Sequence, residues 1–246
     1  MRRLARRRSR ASLQHTAAHL RSFLRFLASR GRVPVGLNNQ VDTPRIYRGE
    51  RLPRAVPWKT VLAFLDAIDR SSVKGRRDYA MFLLIATYGL RASEIVALSL
   101  DDLDWRGRTI RVPRPKVGRP IVLPLTQEVG AALVAYLQNG RPHLAHRHVF
   151  LRNRVPNGAL KPTAVTEAFQ AWNHHKCLPI PFHGPHCLRH SLAMHLLRQG
   201  CTIKTIGDLL GHRSAESTCV YLRLNADELR HVALNLPSAR RKGGRS

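Results

Sequence analysis

The chain has 246 residues, and 42 lysines and arginines against 15 aspartates and glutamates give it a formal net charge of +27. This length suits one large domain, alone or with a small appendage, and the positive excess favours polyanionic partners, nucleic acid first. No apolar run approaches the roughly 18 residues of a membrane span, and the basic start lacks the apolar segment of a secretory signal. Four widely spaced cysteines argue against a disulfide framework. We therefore expect a cytoplasmic protein without membrane contact.

The N-terminal part of the chain carries one helical pattern, followed by a segment that has none. Apolar residues at helical spacing predict an amphipathic helix over Ser12–Ser29. Glycine, proline, asparagine and arginine without a sustained period come next, which is the composition of a linker. We predict a basic arm with one helix over residues 1–32, a linker over 33–57, a main domain over 58–236 and a basic disordered tail over 237–246.

The main domain is predicted to be mainly α-helical with one small antiparallel β-hairpin. Two β-favouring runs, Thr109–Val112 and Ile121–Leu123, flank a proline-rich loop and predict the hairpin. Thr126 and Thr163 are the predicted N-caps of the helices that follow them. Apolar periods, several of them ended by a glycine, predict the helices. They are Trp58–Asp69, a central buried Asp78–Tyr88, Ser93–Leu98, Gln127–Gln138, about Thr163–Cys177, His186–Gln199, Ile203–Leu210, Ser217–Leu224 and Asp227–Leu236.

Basic side chains suited to phosphate binding recur in the main domain. Arg91 opens a predicted helix directly after the turn at Gly89 and Leu90, and Lys116 lies in the hairpin loop. His186 and Arg189 are three residues apart, on one face of a helix, where both side chains can reach one phosphate. Such a pair is weak evidence by itself, since many are ordinary surface residues.

Two further candidate residues, a histidine and a tyrosine, lie near the C-terminus. The segment Leu209–His212 ends a predicted helix, and Tyr221 follows His212 by nine residues. Together these segments resemble the tyrosine recombinases, a family that includes phage integrases and Xer-type and transposon-borne site-specific recombinases. The resemblance covers residues 51 to about 236. Its pieces, in the family's order and near its usual spacing, are GLRASE at Gly89–Glu94, the hairpin lysine Lys116, HCLRH at His186–His190, LLGH at Leu209–His212, and Tyr221.

The resemblance implies the α+β fold of the family's catalytic domain, mainly helical with a small antiparallel sheet. It also implies cleavage and rejoining of DNA through a 3′-phosphotyrosyl intermediate, with no ATP, metal or other cofactor. The implied partner is double-stranded DNA, with two chains on each site and four in a synapse, so the protein would join the bacterial nucleoid when bound. The implied catalytic residues are Arg91, Lys116, His186, Arg189, His212 and Tyr221, with Glu94 and His190 as supporting residues.

The chemistry of the phosphate is consistent with the basic residues in this set. Transfer of a phosphodiester builds negative charge on the non-bridging oxygens, and fixed guanidinium groups stabilise that charge without losing a proton. Arg91 and Arg189 suit this role because a planar fork can hold two phosphate oxygens at once. His212 would donate a hydrogen bond to the same phosphate. Glu94, three residues past Arg91, would orient a histidine or an arginine.

The proton transfers assign roles to the remaining residues. Tyr221 would attack phosphorus, and its phenol, with an ordinary pKa of about 10, must lose a proton as it does so. His186 is the predicted base. The departing 5′ oxygen needs a proton, which a lysine on a flexible hairpin can deliver. Lys116 is the predicted acid, and Lys161 is an alternative that spacing alone does not exclude.

Two other interpretations use parts of the same region. Thr202–Tyr221 also has the pattern of a helix-turn-helix, whose second helix would enter a major groove, so a DNA-binding regulator is one alternative. Such a regulator would need neither Arg91 nor Lys116. A metal site is the other alternative, because histidine and cysteine are common ligands. Its candidate ligands are His174, His175, Cys177, His183, His186 and Cys187.

The N-terminal part departs from the family pattern. Family members carry a helical core-binding domain that closes a clamp around DNA, whereas 57 residues precede the main domain here. Ser12–Ser29 resembles the last helix of that module, so we expect residues 1–32 to hold a remnant of it and the chain to be truncated. A degenerate recombinase that binds DNA without exchanging strands is therefore a further hypothesis. The sequence does not distinguish integration from excision, resolution or transposition.

Overall fold

The computed structural model describes residues 10–45, 53–114, 118–212 and 214–224. They form two compact units, residues 10–45 and residues 53–224. Lys116, the predicted helix Asp227–Leu236, the predicted tail and most of the predicted basic arm lie outside the described residues. Among the described helices, none combines the length and the hydropathy that a membrane span requires.

The first unit consists of one long helix, α1 (Arg10–Ser29), and a short 3-10 helix, Leu37–Gln40, that packs against it. The predicted amphipathic helix is confirmed, with a start two residues earlier than Ser12. The Arg21 guanidinium donates to the Val41 carbonyl at 2.6 Å and so joins the end of the following segment to α1. Part of the predicted linker is therefore folded onto this helix.

The second unit contains the remaining helices and is mainly α-helical, as predicted. Several of its helices end or begin on the residues that the sequence indicated, because glycine ends and threonine caps are strong local signals. The helices are α2 (Trp58–Asp66), α3 (Val73–Tyr88), α4 (Ala92–Ala97), α5 (Gln127–Asn139), α6 (Pro162–His175), α7 (His186–Arg198), α8 (Ile203–Leu210) and α9 (Glu216–Cys219). Two 3-10 helices, Leu100–Asp102 and Val220–Leu224, complete the set.

The sheet is antiparallel and has three strands in the order β1-β2-β3. Strands β2 (Thr109–Val112) and β3 (Ile121–Pro124) form the predicted hairpin, which is confirmed, and β1 (Leu103–Asp104) adds a short third strand. Ile110 pairs with Leu103 on one side and with Leu123 on the other. All three side chains are buried, so the register turns one apolar face of the sheet towards the helices.

Helix α3 lies at the centre of the core, as its apolar sequence predicted, and it begins at Val73 instead of Asp78. The Ser72 hydroxyl caps this earlier start by accepting from the Gly75 amide at 3.0 Å. Gly89 ends the helix with φ of 65°, and a Cβ there would overlap the Leu210 side chain. The glycine thus allows the turn after α3 to pack tightly against the end of α8.

The two predicted N-caps have different outcomes. The Thr126 hydroxyl accepts from the Val129 amide at 3.4 Å, so Thr126 is the N-cap of α5 as predicted. The prediction for Thr163 was wrong, because α6 begins at Pro162 with Lys161 as its N-cap. Proline at the first helical position has a φ angle that already suits the helix, and it lacks an amide hydrogen that would need a cap. Thr163 therefore lies inside the first turn.

Candidate active site

The C-terminal end of α8 is the point at which the predicted phosphate-binding arginines meet. Arg189, from α7, is 1% exposed and donates to the carbonyls of Gly89 and Leu210. Arg91, the N-cap of α4, donates to the next carbonyl, that of Gly211, at 3.3 Å. A helix C-terminus carries partial negative charge on its free carbonyls, so guanidinium groups are stabilised there. The fold thus brings together two arginines that are 98 residues apart in the chain.

Glu94 fixes the orientation of Arg91. Its carboxylate accepts from the Arg91 guanidinium at 2.7 Å and from the Arg91 backbone amide at 2.8 Å. Glu94 is buried on α4, whereas Arg91 is half-buried. The carboxylate therefore holds the side chain from within the protein and leaves part of the guanidinium open to a ligand. This is the contact expected of a glutamate that orients an arginine.

Tyr221 lies in the 3-10 helix after α9 and is 1% exposed. Its ring packs in an apolar cluster that includes Met194, Ile206 and Leu210. The hydroxyl lies 2.9 Å from Nδ1 of His190, the residue that follows Arg189. The phenol is therefore next to the arginine cluster, and its hydrogen-bond partner among the described residues is His190.

His186, the predicted base, lies one helical turn before His190, and the two rings meet edge to face with centroids 4.6 Å apart. His186 is exposed at the start of α7, so its imidazole is accessible to a substrate. The described residues include no hydrogen bond from His186 to Tyr221. The basic role of His186 stays a prediction, and sequence reasoning did not anticipate the contact between His190 and Tyr221.

Burial sets the protonation of this region. It lowers the pKa of His190 to about 3 and the pKa of His212 to about 4, and the positive charges nearby add to the effect. Both rings are therefore neutral at pH 7. Burial also raises the pKa of Tyr221, while Arg189 and Arg91 act in the opposite direction. The arginines thus stabilise the phenolate that burial disfavours.

His212 follows Gly211 and is fixed from two sides. Its backbone amide donates to the Gly207 carbonyl at 2.9 Å, and its Nδ1 lies 2.8 Å from the hydroxyl of the buried Thr218. When the hydroxyl donates to Nδ1, the proton of the neutral ring is on Nε2, which can then donate to a phosphate oxygen. In that arrangement Thr218 favours the tautomer that the predicted role of His212 requires. The role of Thr218 could not be predicted from the sequence, because a threonine on a short helix has no distinguishing pattern.

Arg114, two residues past the end of β2, is a second residue that the sequence did not single out. It is 6% exposed and donates to the carbonyls of Asp208 and Leu209, at 3.4 and 2.5 Å. These carbonyls directly precede the ones that Arg189 and Arg91 contact. An arginine in a proline-rich loop has the pattern of a surface residue, so the only signal was its position two residues before Lys116.

Of the proposed metal ligands, His186 contacts this cluster through the ring of His190, and the candidate lysine Lys161 has no contact with the cluster among the described residues. Lys116 lies outside the described residues, and Lys161 is exposed at the N-terminus of α6. Within the described ranges, no group of three or more histidine, cysteine, aspartate or glutamate side chains is arranged to hold a metal ion.

The sequence matches the model of the phage integrase family over residues 56–228, which is most of the chain. The chain belongs to the phage integrase family. It is 40% identical over 229 residues to y4rA of Sinorhizobium fredii (strain NBRC 101917 / NGR234), an integrase/recombinase by name, covering 93% of this chain and 55% of y4rA. It is also 32% identical over 229 residues to the tyrosine recombinase XerC of Myxococcus xanthus, covering 90% and 74%. This phage integrase family member spans about half the length of the first curated relatives it matches, y4rA and y4rF.

Solved structures share the fold of this family member. The crystal structure of XerA recombinase superposes with a TM-score of 0.63 at 23% identity, covering 93% of this chain and 76% of XerA. The XerH recombinase gives a TM-score of 0.66 at 19% identity, covering 79% and 56%. Both comparisons confirm the predicted fold class, a mainly helical tyrosine recombinase domain with a small antiparallel sheet.

Proposed function

We propose that this chain is a site-specific DNA recombinase that cleaves and rejoins strands through a 3′-phosphotyrosyl intermediate. The observation that carries the proposal is the position of Tyr221, whose hydroxyl bonds to His190 beside the arginines at the end of α8. A phenol close to two guanidinium groups has both a nucleophile and a place for the phosphate it would attack. Membership of the phage integrase family supports the same reaction.

The reaction would proceed as an exchange of one phosphodiester for another. The Tyr221 oxygen forms a bond to phosphorus as the bond from phosphorus to the 5′ oxygen breaks. The phenol proton passes to a base, for which His186 is our candidate, and the 5′ oxygen takes a proton from an acid, for which Lys116 is our candidate. Arg91 and Arg189 stabilise the charge on the non-bridging oxygens. Attack by a second 5′-hydroxyl reverses the step, so neither ATP nor a metal is needed.

Double-stranded DNA is the proposed partner. The net charge of +27 favours a polyanion, and two solved relatives of similar fold were crystallised on DNA. They are XerH bound to a difH substrate and a lambda integrase dimer bound to a COC′ core site. We further propose that two chains occupy each site and that four form a synapse, and that the protein is cytoplasmic and associated with the nucleoid.

A covalent trapping experiment tests the proposal without knowledge of the target sequence. A pool of nicked duplexes with randomised flanks is incubated with the protein in EDTA, and DNA that stays attached to protein in SDS is recovered and sequenced. The wild-type chain should enrich one family of sites, and Tyr221→Phe should give no adduct. An adduct that survives Tyr221→Phe would contradict the assignment of the nucleophile.

Binding measurements on the same DNA pool separate catalysis from binding alone. Salt-sensitive binding with no adduct would contradict strand exchange and would favour a DNA-binding protein, either a regulator or a degenerate recombinase. An adduct that requires a divalent cation would contradict the metal-independent mechanism.

A further inference from the structure

Three arginines, each from a different part of the chain, donate to four consecutive carbonyls at the end of α8. Arg114, two residues past the end of β2, contacts Asp208 and Leu209, Arg189 from α7 contacts Leu210, and Arg91 at the start of α4 contacts Gly211. These carbonyls immediately precede His212, whose backbone amide closes the same turn by donating to Gly207. The segment from Asp208 to Gly211 is thus the common support of the arginines and of the histidine.

Arg114 differs from Arg91 in that its guanidinium has no carboxylate partner among the described ion pairs. It is 6% exposed, and its Nε is buried without a hydrogen-bond partner in the described structure. Burying a guanidinium without a counter-ion is costly, and burial accordingly lowers the pKa of Arg114. A surface arginine placed for solubility would not be held in this way.

Gly211 accommodates the Arg114 guanidinium. Its φ is 61°, and a Cβ at this position would lie 2.5 Å from Nη1 and 2.9 Å from Cζ of Arg114. The space that a side chain would fill beside His212 is therefore filled by a guanidinium from another part of the fold. This packing joins the segment after β2 to the turn that carries His212.

We propose that Arg114 is a positioning residue that holds the Asp208–His212 turn in place for the phosphate chemistry. The inference rests on the proposed function, because it assigns Arg114 an effect on strand cleavage through His212. Arg114 contacts the backbone of the turn, and through the Leu210 and Gly211 carbonyls the same turn contacts Arg189 and Arg91. Loss of the guanidinium should therefore shift the end of the turn and misalign His212, while Arg189 and Arg91 keep their other partners, the Gly89 carbonyl and the Glu94 carboxylate.

The first test compares Arg114→Ala with Arg111→Ala, a matched control that removes an exposed arginine from β2, three residues earlier in the chain. Rates of covalent adduct formation are measured in a single turnover with saturating DNA. A displacement of about 1 Å at a reacting group can cost roughly 100-fold in rate, so we expect Arg114→Ala to slow cleavage by about that factor. Arg111→Ala should cleave like the wild type, and equal rates for both variants would overturn the proposal.

The second test asks whether Arg114 acts through His212. Loss of one hydrogen-bond donor to the transition state costs about 100-fold to 1000-fold, so His212→Ala should be slow by itself. The double variant Arg114→Ala, His212→Ala should then be no slower than His212→Ala within a factor of about two, because the two residues act as one unit. Rates that multiply would show that Arg114 acts independently of His212 and would overturn the proposal.

Arg114→Lys keeps the charge and the aliphatic stem, so it remains informative if Arg114→Ala does not fold in thermal unfolding measurements. One ammonium group cannot reproduce the planar fork that reaches two carbonyls, so we expect about a 10-fold loss of cleavage rate. A lysine variant that cleaves as fast as the wild type would contradict the need for that fork.

A readout without catalysis separates this inference from the proposed function. Histidine-selective NMR of the free protein follows the titration of His212, whose pKa is lowered mainly by burial and by Arg189 and, to a smaller extent, by the charge of Arg114. Arg114→Ala should raise this pKa and Arg111→Ala should not, and an unchanged His212 signal would overturn the proposal. If the wild type forms no adduct but the His212 signal responds, then the proposed function fails while the contact of Arg114 with the turn stands.

Discussion

The second unit buries arginines in two regions, and the guanidinium charge is compensated by different groups in each. In the core, Arg77 of α3 pairs with Asp78 at 2.8 Å, and the second oxygen of that carboxylate accepts from the Trp172 indole at 2.9 Å. At the end of α8, Arg189 is also buried, but its guanidinium donates to the carbonyls of Gly89 and Leu210. The core arginine is neutralised by a full charge, whereas the site arginine is held by dipoles.

This difference distinguishes an arginine that stabilises the fold from one that is ready for a ligand. A carboxylate cancels the field of Arg77, so little of it remains for an anion. Carbonyl dipoles orient Arg189 and leave its unit charge uncompensated, and burial lowers its pKa to about 10, which still leaves it protonated at pH 7. Three guanidinium groups and two carboxylates, those of the buried Glu94 and the exposed Asp208, leave an excess of one positive charge around the turn. A phosphate would supply the missing charge.

The largest expected effect comes from a conservative change at the site arginine. Arg189→Lys keeps the charge but loses the fork, so we expect the rate of adduct formation at saturating DNA to fall by about 1000-fold. Arg198→Lys, an exposed position at the end of the same helix, is the control and should cleave at the wild-type rate. A rate for Arg189→Lys close to that of the control would remove the distinction between the two regions.

The opposite pattern is expected at the core arginine. Arg77→Met leaves the Asp78 carboxylate buried without its counter-ion, which should lower the free energy of unfolding by about 3 to 5 kcal/mol. Urea unfolding measures this loss. The rate of adduct formation per folded molecule should stay near the wild-type rate, because Arg77 contacts no residue of the candidate site in the described structure. Loss of cleavage without loss of stability would contradict the core assignment.

The same contrast explains which parts of the molecule could be predicted from sequence. Helix α8 was predicted to the residue, because its apolar period begins after a threonine cap and ends at Gly211. The start of α3 was missed, because its first five residues, Val73–Arg77, are mostly basic and include a glycine, so they carry no apolar period although Arg77 is buried. The spacing of apolar residues indicates which apolar side chains are buried, but it does not reveal a charged side chain that is buried.

The candidate site was predictable as far as its motifs extend. The spacing of Arg91, Arg189 and Tyr221 belongs to a family pattern, and the structure places these residues around one helix end. Arg114 and Thr218 follow no such pattern. Arg114 gains its environment from contacts of the segment after β2 with a turn 94 residues away, and Thr218 from the close approach of α9 to Gly207. Such contacts exist only after folding, so one sequence cannot show them.

A smaller effect on the cleavage rate is expected from the contact between two neutral groups of the site, the Thr218 hydroxyl and the His212 ring. Thr218→Val removes the hydroxyl that lies 2.8 Å from Nδ1 of His212 and keeps the shape of the side chain. The proton of the ring is then free to move to Nδ1, so we expect cleavage to slow by about 10-fold, the cost of one buried hydrogen bond. Thr163→Val, at an exposed threonine of α6, is the control. Equal rates for the two variants would show that Thr218 does not orient His212.

The smallest expected effect is a change in the pH dependence of stability. Measuring it tests whether the site region buries a neutral imidazole beside its charged guanidinium groups. Burial, His186 and Arg189 hold the pKa of His190 at about 3, below its unfolded value, so between these values the unfolded chain binds a proton that the folded chain does not. The free energy of unfolding should therefore fall as the pH is lowered from 7 to 5. His190→Gln removes this titration and should flatten the fall by at most about 1.4 kcal/mol per pH unit, measured by urea unfolding. His143→Gln, at an exposed histidine, is the control, and a slope for His190→Gln equal to that of the wild type would mean that His190 is not held neutral against Tyr221.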